Sequence, residues 1–250
     1  MITLLRVFLP ICIPIGVYFS VSTMTRNQSL REERARLLPL AGELIIQDPT
    51  KVHVSLVYAP SRDDLRNAAN SDDAIRLIWK FRTYVPKGFD AMRINATGTI
   101  AADSPYRTGG HGSSFGQPTS EALSKMVVFA LTQGPIQPGR PNERFQLVHT
   151  DVDGQSSYTL KITDRQWLTD AVVDLVSDVP QKTVAMDADK PFIMFRMRAA
   201  TPKKNTRPGM PKTYPGYYCA VVPRTKIAQW ETVMDTPPTK DATSGEFDER

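Results

Sequence analysis

Gly112-Ser113-Ser114-Phe115-Gly116 fits the Gly-x-Ser-x-Gly pattern of a nucleophile elbow, with Ser114 as the nucleophile. That chemistry needs a strand that runs into a tight turn and then a helix, so that the serine hydroxyl is held strained and exposed. It also needs an acid and then a histidine further along the chain. His149 is the last histidine, which leaves Glu121 and Glu143 as the acids between them. The preceding residues, Ser104-Pro-Tyr-Arg-Thr-Gly-Gly-His111, are turn formers that do not read as the required strand, and Gln117-Pro118 delays any helix. The motif reads first as a surface loop, with no catalytic residue assigned; a serine hydrolase using Ser114 is the enzymatic alternative.

Other chemistries lack their parts. No Gly-Lys-Ser/Thr ending follows the glycine-rich stretch, so no lysine is placed to reach phosphates and no hydroxyl to hold magnesium. His53, His111 and His149 are far apart in sequence and form no His-Glu-x-x-His pair. Asp151-Val-Asp153-Gly154 starts like a calcium loop, but Ile162 stands where the bidentate glutamate belongs. No metal and no cofactor is expected.

Cations supply the remaining candidates. Ile75, Leu77, Trp79 and Phe81 alternate with Arg76, Ile78, Lys80 and Arg82, which predicts a strand with an apolar face and a mostly cationic one. Tyr84 and Arg93 could add to that face. Lys203, Lys204, Arg207 and Lys212 make a basic loop within Thr201 to Pro215. The bland reading is a solvated sheet face and a soluble loop; anionic lipid or a protein partner comes next, and nucleic acid last.

The elements that must position these residues are mostly strands. Val52 to Tyr58, Ala91 to Ile100, Phe192 to Arg198 and Tyr217 to Val222 read as strands, and Ser61 to Asp73 as a loop or small exposed helix. Asp-Gly between Arg144–Thr150 and Gln155–Ile162 is a hairpin signal. Glu121 to Leu131 reads as a helix, although its Val-Val-Phe centre also suits a strand. A second helix opens at Thr163, with Trp167, Leu168, Ala171, Val172 and Leu175 on its inner face. Turns, not crossover helices, join neighbouring strands, so the expected fold is α+β with a mostly antiparallel sheet and a few helices.

Upstream of that domain, Val7 to Thr23 carries no charge, and Arg6 alone interrupts the apolar run before it. The stretch suits a short spanning helix, with Tyr18 and Phe19 near its end. A cleaved signal peptide or a buried core segment are the alternatives, but a lone Arg6 after five largely apolar residues is an odd leader. Ser29-Leu-Arg-Glu32 reads as a capping box opening a juxtamembrane helix. The expected organisation is a transmembrane anchor over 1–24, a juxtamembrane helical segment over 25–47, one globular α+β domain over 48–234 and a polar, disordered tail over 235–250. Arg26, Arg31, Arg34 and Arg36 after the apolar run favour a cytoplasmic domain, whereas a short anchor ahead of one folded domain favours the outside; an outward-facing domain is the expectation.

Composition narrows the rest. Hydrophobic residues at 41% and charged residues at 23% are those of a globular chain. The two cysteines, Cys12 in the apolar run and Cys219 in a strand, cannot pair within the domain, which excludes a disulfide-built scaffold. The sequence therefore points to a single-pass, membrane-anchored accessory, structural or ligand-sensing module without enzymatic activity. It contacts membrane lipid through residues 7–23 and has a protein partner in the envelope. The alternatives are the hydrolase and a binder of anionic lipid or nucleic acid.

Overall fold

The structure, a computed structural model, describes residues 23–24, 26–30, 44–115, 118–135, 144–151, 154–161, 165–177, 179, 182–203 and 211–238. The chain divides into two compact units, Met1–Glu43 and Leu44–Arg250. In the first, the described residues are helical and exposed. Ser29 lies inside that helix and does not cap it from outside, while Glu32 falls outside the described residues. Residues 7–22 of the apolar run Val7 to Thr23 also fall outside them, and no helix among the described residues is long and apolar enough to cross a membrane.

The second unit is built from two antiparallel sheets. In spatial order the first holds β10 (Thr183–Met186), β1 (Val52–Tyr58), β2 (Ile75–Val85), β6 (Leu123–Gln133), β7 (Arg144–Asp151) and β8 (Gly154–Lys161). The second places β4 (Arg107–Thr108) and β5 (His111–Phe115) along one side of β3 (Ala91–Ala101), followed by β12 (Thr213–Pro223), β11 (Phe192–Arg198) and β9 (Val172–Leu175). Few helices accompany them: α1 (Arg62–Asn70), α2 (Ile227–Asp235) and the short 3₁₀ segments Arg165–Asp170 and Arg224–Lys226. The expected class, α+β with mostly antiparallel strands, is the one observed.

Period-two burial explains how the sheets meet. Val52, Val54 and Leu56 of β1, with Leu77, Trp79 and Phe81 of β2, turn inward. They join Val127, Phe129 and Leu131 of β6, and Phe195, Met197, Tyr217 and Cys219 from the second sheet, in one core. Phe195 stacks on Phe129 with ring centres 4.7 Å apart and meets Trp79 edge-on at 5.1 Å. Each fully buried aromatic contributes roughly 1.5–3 kcal/mol of transfer free energy. The outer face of the second sheet is also covered. Trp230 and Met234, four residues apart on α2, close over Met92, Ile94, Ile100, Tyr218 and Val222 in a second core.

Two expected helices are strands. Glu121 to Leu131 became β6, whose eleven residues pair with β2 along their whole length, from Ile75–Gln133 to Val85–Leu123. The stretch after Thr163 forms only a 3₁₀ turn before Val172-Val-Asp-Leu175 pairs with β11. In both, β-branched residues found a strand partner worth more than a helix ladder. Of the two readings of Ser61 to Asp73, the small helix is the one formed: α1 is opened by a capping box in which Asp64 N–H donates to Ser61 Oγ at 3.1 Å and Ser61 N–H to the Asp64 carboxylate at 2.8 Å. Helix α2 was not foreseen.

Buried arginines tie loops to strand ends. The Arg165 guanidinium donates to the carbonyls of Ser71, Asp73 and Gly134, joining the residues before β2 to those after β6. Arg196 does the same for Ala102 and Ser104, below the Tyr218 ring; burial lowers its pKa from the ordinary value. The Gly109 link between β4 and β5 runs close against the backbone of β3. Gly98 adopts φ +109°, and a Cβ at Gly109 would lie 2.3 Å from the Thr97 carbonyl oxygen.

Candidate functional site

The alternation read in β2 places its cations as expected. Arg76 and Lys80 are exposed and Arg82 half-buried on the outer face, with Ile78 among them. Their spacing along the strand is about 6.6–6.8 Å per residue pair. Across the sheet, Arg76 faces Thr132, Ile78 faces Ala130, Lys80 faces Val128 and Arg82 faces Met126. Val148 of β7 continues the row beyond Ala130. The outcome is a central strip of half-buried apolar side chains lined by three cations. None of these cations is in an ion pair with a described residue, the ion pairs lying at Asp187, Asp90 and Asp235.

Other residues expected near that face are elsewhere. Tyr84 does turn outward but is buried: its hydroxyl donates to the Pro49 carbonyl at 3.1 Å, and its ring meets His53 edge-on. It offers no stacking surface. Arg93 belongs to β3 in the other sheet. Lys203 is exposed between β11 and β12, where its N–H donates to the Thr213 carbonyl at 2.7 Å. Lys204 and Arg207 lie outside the described residues. Among the described residues expected on that face, Arg76, Lys80 and Arg82 are the ones brought together.

Ser114 lies within β5, opposite Arg93 of β3, in an antiparallel pairing that runs from Met92–Phe115 to Ala96–His111. A nucleophile elbow joins a strand to a helix. Here the described chain goes on through Pro118 and Thr119 to strand β6. Glu121 is exposed between them, Glu143 falls outside the described residues, and His149 stands on β7 opposite Phe129 in the first sheet. His53 is buried against the Asp48 carbonyl, 2.6 Å from its Nε2. No group of three metal-ligating side chains occurs among the described residues. Asp151 pairs with Gly154 at the β7–β8 hairpin, as its Asp-Gly signal indicates, and Asp153 is outside the described residues.

One feature is barely signalled in the sequence. Strand β1 pairs with β2 in a constant register from His53–Tyr84 to Leu56–Phe81, then slips by one residue at Tyr58–Lys80. The bulge at Val57 and the following Ala59-Pro60 turn β1 away before it reaches Ile75–Ile78. Helix α1 enters the space left, and between them is a cleft of about 440 Å³ lined by Tyr58, Asp64, Asn67, Asp73 and the run Ile75 to Ile78. Hydrogen bonding to Ser61 holds the Asp64 carboxyl below its ordinary pKa, so it stays charged. The only hint in the sequence was Pro60 ending a seven-residue strand beside an eleven-residue one. Comparison with known protein families, with characterised proteins and with solved structures finds no match to this chain.

Proposed function

We propose that the chain is a membrane-held accessory module without catalytic activity, tethered by residues 7–23 on the outer side of the membrane, that presents the outer face of its first sheet to anionic lipid headgroups. One observation carries the reading: Arg76, Lys80 and Arg82 stand in a row beside half-buried Ile78, Val128 and Ala130, and none of the three forms an ion pair with a described carboxylate. Cations around an apolar strip match an interface where charge meets acyl chain. A tether would hold that face at high local concentration over the lipid.

The test uses the full chain in neutral-lipid nanodiscs, floated with vesicles of phosphatidylglycerol and phosphatidylcholine. Binding should fall steeply between ~0.1 M and ~1 M salt, as the Debye length shrinks from ~10 to ~3 Å. The triple variant R76E/K80E/R82E should lose it at all salt concentrations. Salt-independent binding, or binding that survives the triple variant, would remove the proposal; capture of single-stranded RNA in place of the vesicles would redirect it.

A further inference from the structure

We propose that the cleft beside α1 receives an extended, cation-bearing peptide segment of a partner protein, which adds as a strand to the open edge of β2 at Ile75–Ile78. The inference rests on the open edge of β2 and not on the cations of its outer face, of which Arg76 alone also borders the cleft.

The lining itself shows that an edge is offered. Side chains of a strand alternate between its two faces, so four consecutive residues can border one cleft only through the backbone edge they share. On its other side this segment is fully paired, with Ile75 to Ile78 opposite Gln133 to Ala130 of β6. Peptide groups in an antiparallel strand point alternately to either neighbour. Half of the N–H and C=O groups between Ile75 and Ile78 therefore face the cleft, and no backbone hydrogen bond reaches them from β1, whose pairing stops at Lys80. Unpaired strand edges are templates for another strand.

The shape selects a peptide over a small molecule. The polar groups of the edge repeat along a line at about 6.6–6.8 Å, instead of converging on one point. A rigid ligand meets one such pair, whereas an extended chain meets them in register. The edge is also preorganised, because Arg165 holds the carbonyls of Ser71 and Asp73 just before β2. Charge indicates the side chains: Asp64 and Asp73 line the cleft against Arg76 alone, so the segment that fits carries a lysine or arginine on the α1 side.

The experiment selects phage-displayed random heptapeptides against the full 250-residue chain in detergent, then measures amide hydrogen exchange with the best synthetic peptide bound. Alternate amides within Ile75–Ile78 should gain protection. Methylating every second backbone nitrogen of the peptide should weaken binding about tenfold or more per site, and methylating the others should not. Asn67→Trp, which fills the cleft from the exposed side of α1, should abolish binding, whereas Asn67→Ala should keep it and Asp73→Asn should weaken it. Failure to enrich any peptide, absence of protection at Ile75–Ile78, or indifference to N-methylation would overturn the proposal. Micromolar self-association that Asn67→Trp breaks would overturn it in favour of a second copy of this chain.

Discussion

Arg165 holds a charge that is 7% exposed with three backbone carbonyls as its described acceptors. Removing a buried donor leaves its acceptors desolvated, which is costlier than never having had the bond. Arg165→Met should lower stability by about 2–4 kcal/mol in urea titrations, and Arg165→Lys should recover little, since an ammonium cannot span three carbonyls in one plane. Asp64 gives a pH dependence. Its folded pKa is depressed, first by the Ser61 hydroxyl and then by the Ser61 N–H. A depressed carboxyl stabilises the fold above the unfolded value and loses that contribution as pH falls through the folded one. Thermal melts of the chain and of Asp64→Ala should therefore differ at neutral pH and converge as pH drops below the ordinary aspartate value of 3.8.

At the scale of elements, α2 is the layer whose loss should cost most. Trp230→Ala opens a cavity over Met92, Ile94 and Tyr218 and should cost about 3–5 kcal/mol, with dye binding reporting newly exposed apolar surface. The i, i+4 spacing of Trp230 and Met234 is present in the sequence, but a nine-residue helix offers too few turns for the period to stand out. Strand β2 could be read outright, because its outward positions are charged and its inward ones apolar. Strand β6 could not. Its outward Met126, Val128 and Ala130 are as apolar as its inward Val127, Phe129 and Leu131, so the run has no period of two. Those outward residues sit beside Ile78 and Val148 and are half-buried like them. The Asp151–Gly154 hairpin was local and therefore visible. The cleft at Ile75 depends on where β1 stops relative to β2, a tertiary relation that no single stretch encodes. For Ser114, a five-residue pattern matched while the surrounding strand–turn–helix context did not.

For the molecule as a whole, the path of the chain matters as much as the layers. It builds β1 and β2 in the first sheet, β3 to β5 in the second and β6 to β8 in the first; β9 then returns to the second, β10 to the first, and β11 and β12 to the second. Neither sheet is a contiguous stretch, and non-local pairing of this kind closes slowly. Strand β3 waits for β12, with Ala91 opposite Pro223, and β1 waits for β10. In terms of synthesis, a nascent chain that has emerged only as far as Thr201 holds β3 with its main partner missing and the Met92–Ile100 row uncovered. Ribosome-bound chains stalled at that length should be cut rapidly by added protease, while chains stalled beyond Asp235 with a linker should resist. The order of strands thus makes the stretch after Thr201 the part that permits folding, so until β12 emerges this polypeptide depends on whatever shields unpaired strands near the ribosome.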